Sequence, residues 1–167
     1  MERIKKNFGI AFHSEQMPFF QIAEGRKLCI PLELLQQKPL LAKHLVAGLF
    51  KRDSKIDVSF LKSYIPHGHT TSRYDVKISL HHTIDIRNWK EQEFEKDYFK
   101  DILRYITIED VKSDEVYRYL LSLLRGKKAM YVGFYNDDYF MQANSDEVVI
   151  ISRHDELIPP IQELLEQ

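Results

Sequence analysis

The sequence predicts an α+β domain, an antiparallel or mixed β-sheet with helices packed mainly on one face. Three observations lead there. Residues 74–86, YDVKISLHHTIDI, alternate with period two: Tyr74, Val76, Ile78, Leu80, His82, Ile84 and Ile86 fall on one side. A strand that is wet on its other side suits an antiparallel or mixed sheet rather than a doubly wound one. The segments AMYVGFY, YFMQA and EVVIIS, separated by polar turns, read as a three-stranded meander. Residues 39–52 and 113–126 carry apolar side chains at helical spacing. The 167 residues fit a single domain over 1–167.

Taken in order, Ile4 to His13 and Phe19 to Ile30 hold short apolar runs and read as two or three strands, with a turn near Gly25. Pro31 opens a short helix that Pro39 stops. Pro39 opens the next helix, whose packed face is Leu41, Leu45, Val46, Leu49 and Phe50. Asp53 or Ser54 can cap a short helix over DVSFLKSYI that ends before Pro66. PHGHTTSR, 66–73, is a loop leading into the 74–86 strand. At about 3.3 Å per residue that strand would run roughly 43 Å, long enough to predict a bend or bulge.

Asn88 then caps a helix over 88–106. Phe94, Tyr98, Ile102 and Tyr105 form its apolar row, and Glu93/Lys96, Asp97/Lys100 and Asp101/Arg104 its outer ion pairs. Ser113 caps a further helix that Gly126 ends. Three strands and a helix opened by Pro159-Pro160 complete the chain.

The composition is 44% hydrophobic and 29% charged, enough to bury a core. No run nears the ~20 apolar residues that span a bilayer, so no membrane role is expected. The N-terminus does not read as a signal peptide, and Cys29 is the only cysteine. A cytoplasmic protein is expected, with neither an internal disulfide nor a cysteine-based zinc site. The net charge of −1 hides an asymmetry. Residues 1–87 carry fourteen Lys/Arg against eight Asp/Glu, whereas from Ala129 onward eight acids face one base, Arg153.

Histidines offer one route to chemistry. His67 and His69 share a loop, and His81 or Asp85 could complete a zinc or manganese set. His81 shares a strand face with Lys77 and Asp85, so His69, His81, Lys77 and Asp85 form a candidate acid–base group. His82, on the apolar face, is expected to be a hydrogen-bonded core histidine. The H-x-T pattern at His81–Thr83, with His-Thr-Thr at 69–71, resembles the signature of two-histidine phosphoesterases, which implies acid–base work on a cyclic phosphate. The two copies lie about a dozen residues apart, closer than that family's half-domain repeats, and the first lacks flanking apolar positions. The alternative reading is therefore a histidine-based or metal-dependent phosphodiesterase or nuclease.

Cys29, between apolar residues in KLCIPL, reads as a small buried hydrophobe. The glycines are scattered and no nucleotide-loop signature occurs, so no cofactor is expected. Lys5, Lys6, Arg26, Lys27, Lys51, Arg52 and Lys55 could meet phosphates, which keeps a nucleic-acid-binding module as a third reading.

The leading expectation comes from the acidic C-terminal region. Tyr135, Asp137, Asp138, Tyr139, Asp146, Glu147, Asp155 and Glu156 interleave aromatic anchors with carboxylates, a pattern suited to binding a basic protein. In general character the chain resembles bacterial toxin-immunity proteins. That resemblance implies a non-catalytic inhibitor, or antitoxin, that neutralises a toxin domain such as a nuclease by covering its active or substrate-binding surface. The oligomeric state is left open, a homodimer included.

Overall fold

The computed structural model describes residues 1–70, 74–75, 80, 82–96 and 99–166. Its elements are α1 (Glu2–Phe8), β1 (Lys27–Pro31), α2 (Leu32–Gln37), α3 (Pro39–Leu49), β2 (Ile56–Ile65), β3 (Tyr74–Asp75), β4 (Trp89–Glu95), β5 (Ile102–Val111), α4 (Ser113–Leu124), β6 (Val132–Tyr135), β7 (Tyr139–Ala143), β8 (Glu147–Ser152) and α5 (Pro159–Glu166). Every pairing is antiparallel. The strand order is β1-β8-β7-β6-β2-β5-β4, with the short β3 also paired to β2. The fold is α+β.

Strand β2 is the middle of this sheet. Its Asp57–Phe60 half pairs with β6, its Ser63–Tyr64 pair meets β3, and its other edge runs along β5. Ile56, Val58 and Phe60 project to one side and Asp57 and Ser59 to the other, and all five are buried. This corrects the expected helix over DVSFLKSYI. The alternation of Ile56, Val58 and Phe60 with Asp57 and Ser59 is itself the period-two signal of a strand, and the helix expectation overlooked it.

The two faces hold separate cores. On one, Val58, Phe60, Ile106, Ile108, Phe134 and Ile150 pack under α2, α3, α4 and α5. On the other, Leu103, Tyr105, Tyr135, Phe140, Val149 and Ile151 are covered by Ile4, Phe8, Ile10, Phe12 and Ile22. Each fully buried side chain of this size contributes roughly 1.5–3 kcal/mol. The first 26 residues therefore form a helix and a cover, and of the strands expected over Ile4 to His13 and Phe19 to Ile30 only the end of the second forms, as β1. Ile4 and Phe8 lie one helical turn apart, and Gly9 ends the helix at φ 77 with its N–H on the Lys5 carbonyl.

The expected helix over 88–106 is the hairpin β4–β5. Gln92 and Phe94 sit opposite Tyr105 and Leu103, and Lys100 takes φ 51, which no helix interior accommodates. The Lys96 N–H bonds the Asp101 carbonyl at 2.8 Å across the connection. Sequence spacing favoured a helix because an edge strand with one charged face can also match i,i+3 pairs. Here Arg104 meets Glu91 and Glu93 across strands rather than along a helix.

The 74–86 strand is also corrected. Among its described residues only Tyr74–Asp75 pairs, and residues 76–79 and 81 lie outside the described residues. From His82 (φ 56) to Asn88 (φ 50) the backbone is irregular. The Thr83 N–H and Oγ1 both bond the Leu80 carbonyl, at 2.9 and 2.6 Å. Leu80 and Ile84 are buried beneath the helices, whereas His82 is exposed and is not the expected core histidine. No helix among the described residues is long and apolar enough to cross a membrane.

Candidate functional site

The β6–β7–β8 meander forms as expected and decides where the acidic residues go. Asn136 Oδ1 accepts the N–H groups of Asp138 and Tyr139 at 3.0 and 2.7 Å, and its Nδ2 reaches the Leu49 carbonyl at 2.8 Å. This buried amide shapes the first turn and ties it to the end of α3. Asn144 Oδ1 repeats the motif with Asp146 and Glu147 at 2.7 and 2.9 Å. Successive turns of a meander lie at opposite ends of the sheet. Asp137 and Asp138 therefore share one end with Asp155 and Glu156, while Asp146 and Glu147 sit at the other. The expected set does not form one patch.

Two of its aromatic members also serve elsewhere. Tyr135 is 1% exposed and its hydroxyl bonds Ser59 Oγ at 3.0 Å, so it is a core residue and not a contact anchor. Burial pushes that phenol up to about 12. Tyr139 is half-buried and donates its hydroxyl to the Leu157 carbonyl at 3.2 Å, which clamps the 155–157 turn against β7. The Arg153 N–H on the Asp138 carbonyl at 2.8 Å completes the junction. Asp138, Asp155 and Glu156 are all exposed and, among the described residues, make no ion pair. Gly25 borders this group, since a Cβ there would lie 3.3 Å from Asp155 Oδ2.

Asp137 is anchored from α1. Arg3 Nη2 meets Asp137 Oδ1 at 2.9 Å, while its Nη1 meets the buried Asp57 Oδ2 at 2.8 Å. Arg3 Nε at 3.1 Å and Asn7 Nδ2 at 3.3 Å add two further donors to Asp137 Oδ1. The Arg3 guanidinium holds the Asp137 carboxyl below the usual carboxylate range. Beside this pair opens a polar cleft of about 770 Å³, with Asp57, Thr107, Glu109, Gln92 and Tyr135 in its lining. Its floor carries the chain Thr107 Oγ1···Ser59 Oγ···Tyr135 Oη, at 2.7 and 3.0 Å. On its wall, the enclosed Gln92 Oε1 has no hydrogen-bond partner among the described residues.

Of the histidine grouping, Asp85 lies apart from His67 and His69. His67 and His69 are exposed at the end of β2, where the His67 N–H bonds Asp101 Oδ1 at 2.9 Å. Asp101 immediately precedes β5. The Asp85 N–H instead bonds Glu115 Oε1 at 2.9 Å, in the first turn of α4 beyond the far end of β5. A ten-residue strand spans about 30 Å, so Asp85 cannot join His67 and His69 around one metal or substrate. Lys77 and His81 lie outside the described residues. No group of three potential metal ligands occurs among the described residues.

The basic set is dispersed as well. Arg26 reaches inward to the Ser152 and Phe8 carbonyls at 3.0 and 3.2 Å. Lys27 lies 4.0 Å above the Phe19 ring and pairs with Glu24 at 2.7 Å. Neither is available to form a continuous groove with Lys5 and Lys51. Cys29 is half-buried rather than buried as expected, because it sits on edge strand β1. Sequence reasoning missed Arg3, Asp57, Ser59, Gln92 and Thr107, because a long-range polar network leaves no local spacing to find.

No protein-family model matches this chain, no curated protein matches it in sequence, and no solved structure matches it.

Proposed function

We propose that the protein is a non-catalytic binding protein for a basic partner, most concretely an immunity-type inhibitor of a toxin domain such as a nuclease. The observation that carries this reading is the acidic end of the sheet, where the exposed carboxylates of Asp137, Asp138, Asp155 and Glu156 gather on two clamped turns. Turns whose backbone is already clamped need little further ordering when a partner's Lys or Arg arrives, and exposed carboxylates speed encounter at low salt. Cytoplasmic action and the toxin's identity belong to the same proposal.

The test is capture from an extract of the source cells, with the wild-type chain and an Asp138→Lys/Asp155→Lys/Glu156→Lys variant as parallel baits. The expected result is a stoichiometric basic protein held by the wild type, released by salt and absent from the variant. Recovery of no stoichiometric partner, or equal retention by both baits, would overturn the reading.

A further inference from the structure

A second cleft, also about 770 Å³, lies on the helical side where α3, the start of β2, the end of β5 and α4 meet. That size falls within the ordinary range for a small-molecule site. Its floor is apolar, with Val46, Phe50, Ile56 and Val111 among the lining residues and Tyr117 half-exposed at the wall. Its rim carries four cations, Lys43, Arg52, Lys55 and Lys112, against two carboxylates, Asp110 and Asp114.

The carboxylates are already engaged: Asp110 pairs with Lys55 at 3.8 Å, and Asp114 with Arg118 at 3.4 Å. Lys43, Arg52 and Lys112 make no ion pair among the described residues. Gathering like charges around one hollow is unfavourable unless an anion occupies it, and low-dielectric walls strengthen the attraction. Asp110 itself holds φ 58 at an irregularity in the β2–β5 register, a conformation that costs about 1–3 kcal/mol for a residue other than glycine. That irregularity brings Asp110 to the cleft wall.

We infer that this cleft binds a phosphate monoester with an aromatic body, of mononucleotide size. The rim carries two cations more than carboxylates, which matches the charge of about −2 on such a phosphate. Arg52 supplies the planar fork that grips phosphate oxygens, and the apolar floor and Tyr117 ring accept the flat body. The cleft shares Lys55 with the polar cleft beside Asp137, but none of the carboxylates of the acidic end lines it, and the inference does not depend on the inhibitor reading.

Adenosine 5′-monophosphate serves as the probe, titrated into the isotope-labelled full chain and followed by amide shifts. Adenosine alone and inorganic phosphate alone are the partial ligands. The monophosphate should shift the amides of Ser54, Lys55, Lys112 and Ser113 with Kd below about 1 mM, and each partial ligand should bind at least about tenfold more weakly. Arg52→Gln/Lys112→Gln, two exposed positions, should weaken the monophosphate by about tenfold or more and leave adenosine unchanged. The inference is overturned if the monophosphate binds no better than phosphate, or if its shifts fall elsewhere. Undiminished binding by a folded double variant would overturn it too. The wild-type comparison of three ligands decides the matter even if that variant fails to fold.

Discussion

The carboxylate of Glu115 receives the backbone N–H of Asp85 on Oε1 at 2.9 Å, and that of Lys112 on Oε2 at 2.7 Å. Glu115 is 1% exposed, and Arg87 reaches it at 3.5 Å. One buried side chain thus closes the first turn of α4 and fastens the irregular segment after Leu80. Glu115→Gln keeps the shape but replaces one acceptor oxygen by a donor, and it removes the charge that Arg87 meets. The expected loss is about 1–3 kcal/mol in urea unfolding. Exchange of the Asp85 amide should also accelerate by more than that of the sheet. A variant as stable as wild type would remove this latch from the account.

Arg3 joins α1 to β2 through Asp57, whose side chain is only 8% exposed. Arg3→Ala strands that carboxylate, and the cost should be about 2–4 kcal/mol, tempered because Arg3 itself reaches solvent. Arg3→Ala/Asp57→Asn should recover part of the loss, which a double-mutant cycle in urea would measure.

Gly133 is held small by its neighbours rather than by its backbone. A Cβ there would lie 2.5 Å from Phe140 Cε2 and 3.2 Å from Phe12 Cε2. Both rings are buried and packed edge to face, so neither can withdraw cheaply. Gly133→Ala should therefore destabilise by about 2–3 kcal/mol despite its higher strand propensity. A neutral effect on the thermal midpoint would show that the two rings can move.

The acid limb of stability has identifiable owners. The Tyr64 hydroxyl, then the His67 N–H, hold the Asp101 carboxyl below its ordinary range. Arg3 does the same for Asp137, and Lys90 for Glu109. A carboxyl depressed in the folded state stabilises fully above its unfolded pKa of about 4 and loses that contribution as pH falls through the folded value. Urea midpoints should stay flat down to about pH 5 and fall below about pH 4. Tyr64→Phe should lower the plateau and make the acid decline shallower. An unchanged profile in that variant would detach Asp101 from the acid limb.

Burial, followed by the Glu147 carboxylate, pushes the Cys29 thiol up to about 11. At pH 8 its thiolate is scarce, so iodoacetamide should react roughly tenfold or more slowly than with a free thiol. Urea should restore the ordinary rate, and Glu147→Gln should raise it within the folded state. A native rate equal to that of a free thiol would contradict the burial of this edge.

Where a segment packs on one side only, its sequence could be read. Leu41, Leu45, Val46 and Leu49 show their helix because the opposite side is wet, and the meander shows itself through Asn136, Asn144 and the apolar run of β8. Strand β2 carries a legible alternation over residues 56–60, but Leu61 interrupts it, and Asp53, Ser54 and Pro66 imitate the boundaries of a helix. Strand β4 was misread because it is a mostly polar edge, and Phe94 with Tyr98, Ile102 and Tyr105 beyond it falls by chance at helical spacing alongside the charge pairs. The acidic turns and the meander were both legible, and the division of the turns between two ends of the sheet follows from that meander, a consequence that grouping the acids by charge alone passes over. Neither cleft was anticipated, because each is assembled from residues more than fifty positions apart.

The pairing of β1 with β8 sets a condition on synthesis. Lys27 lies opposite Ile151, so one edge of the sheet waits for a partner made some 120 residues later. The N-terminal cover waits with it, because Phe8 and Ile10 rest on a floor that includes Phe140 and Ile151. At about 5–20 residues per second, that interval lasts several seconds or more on the ribosome. During it, Phe8, Ile10, Phe12 and Ile22 emerge as an uncovered apolar segment. The nascent chain should therefore depend on a holding chaperone until β8 has left the exit tunnel.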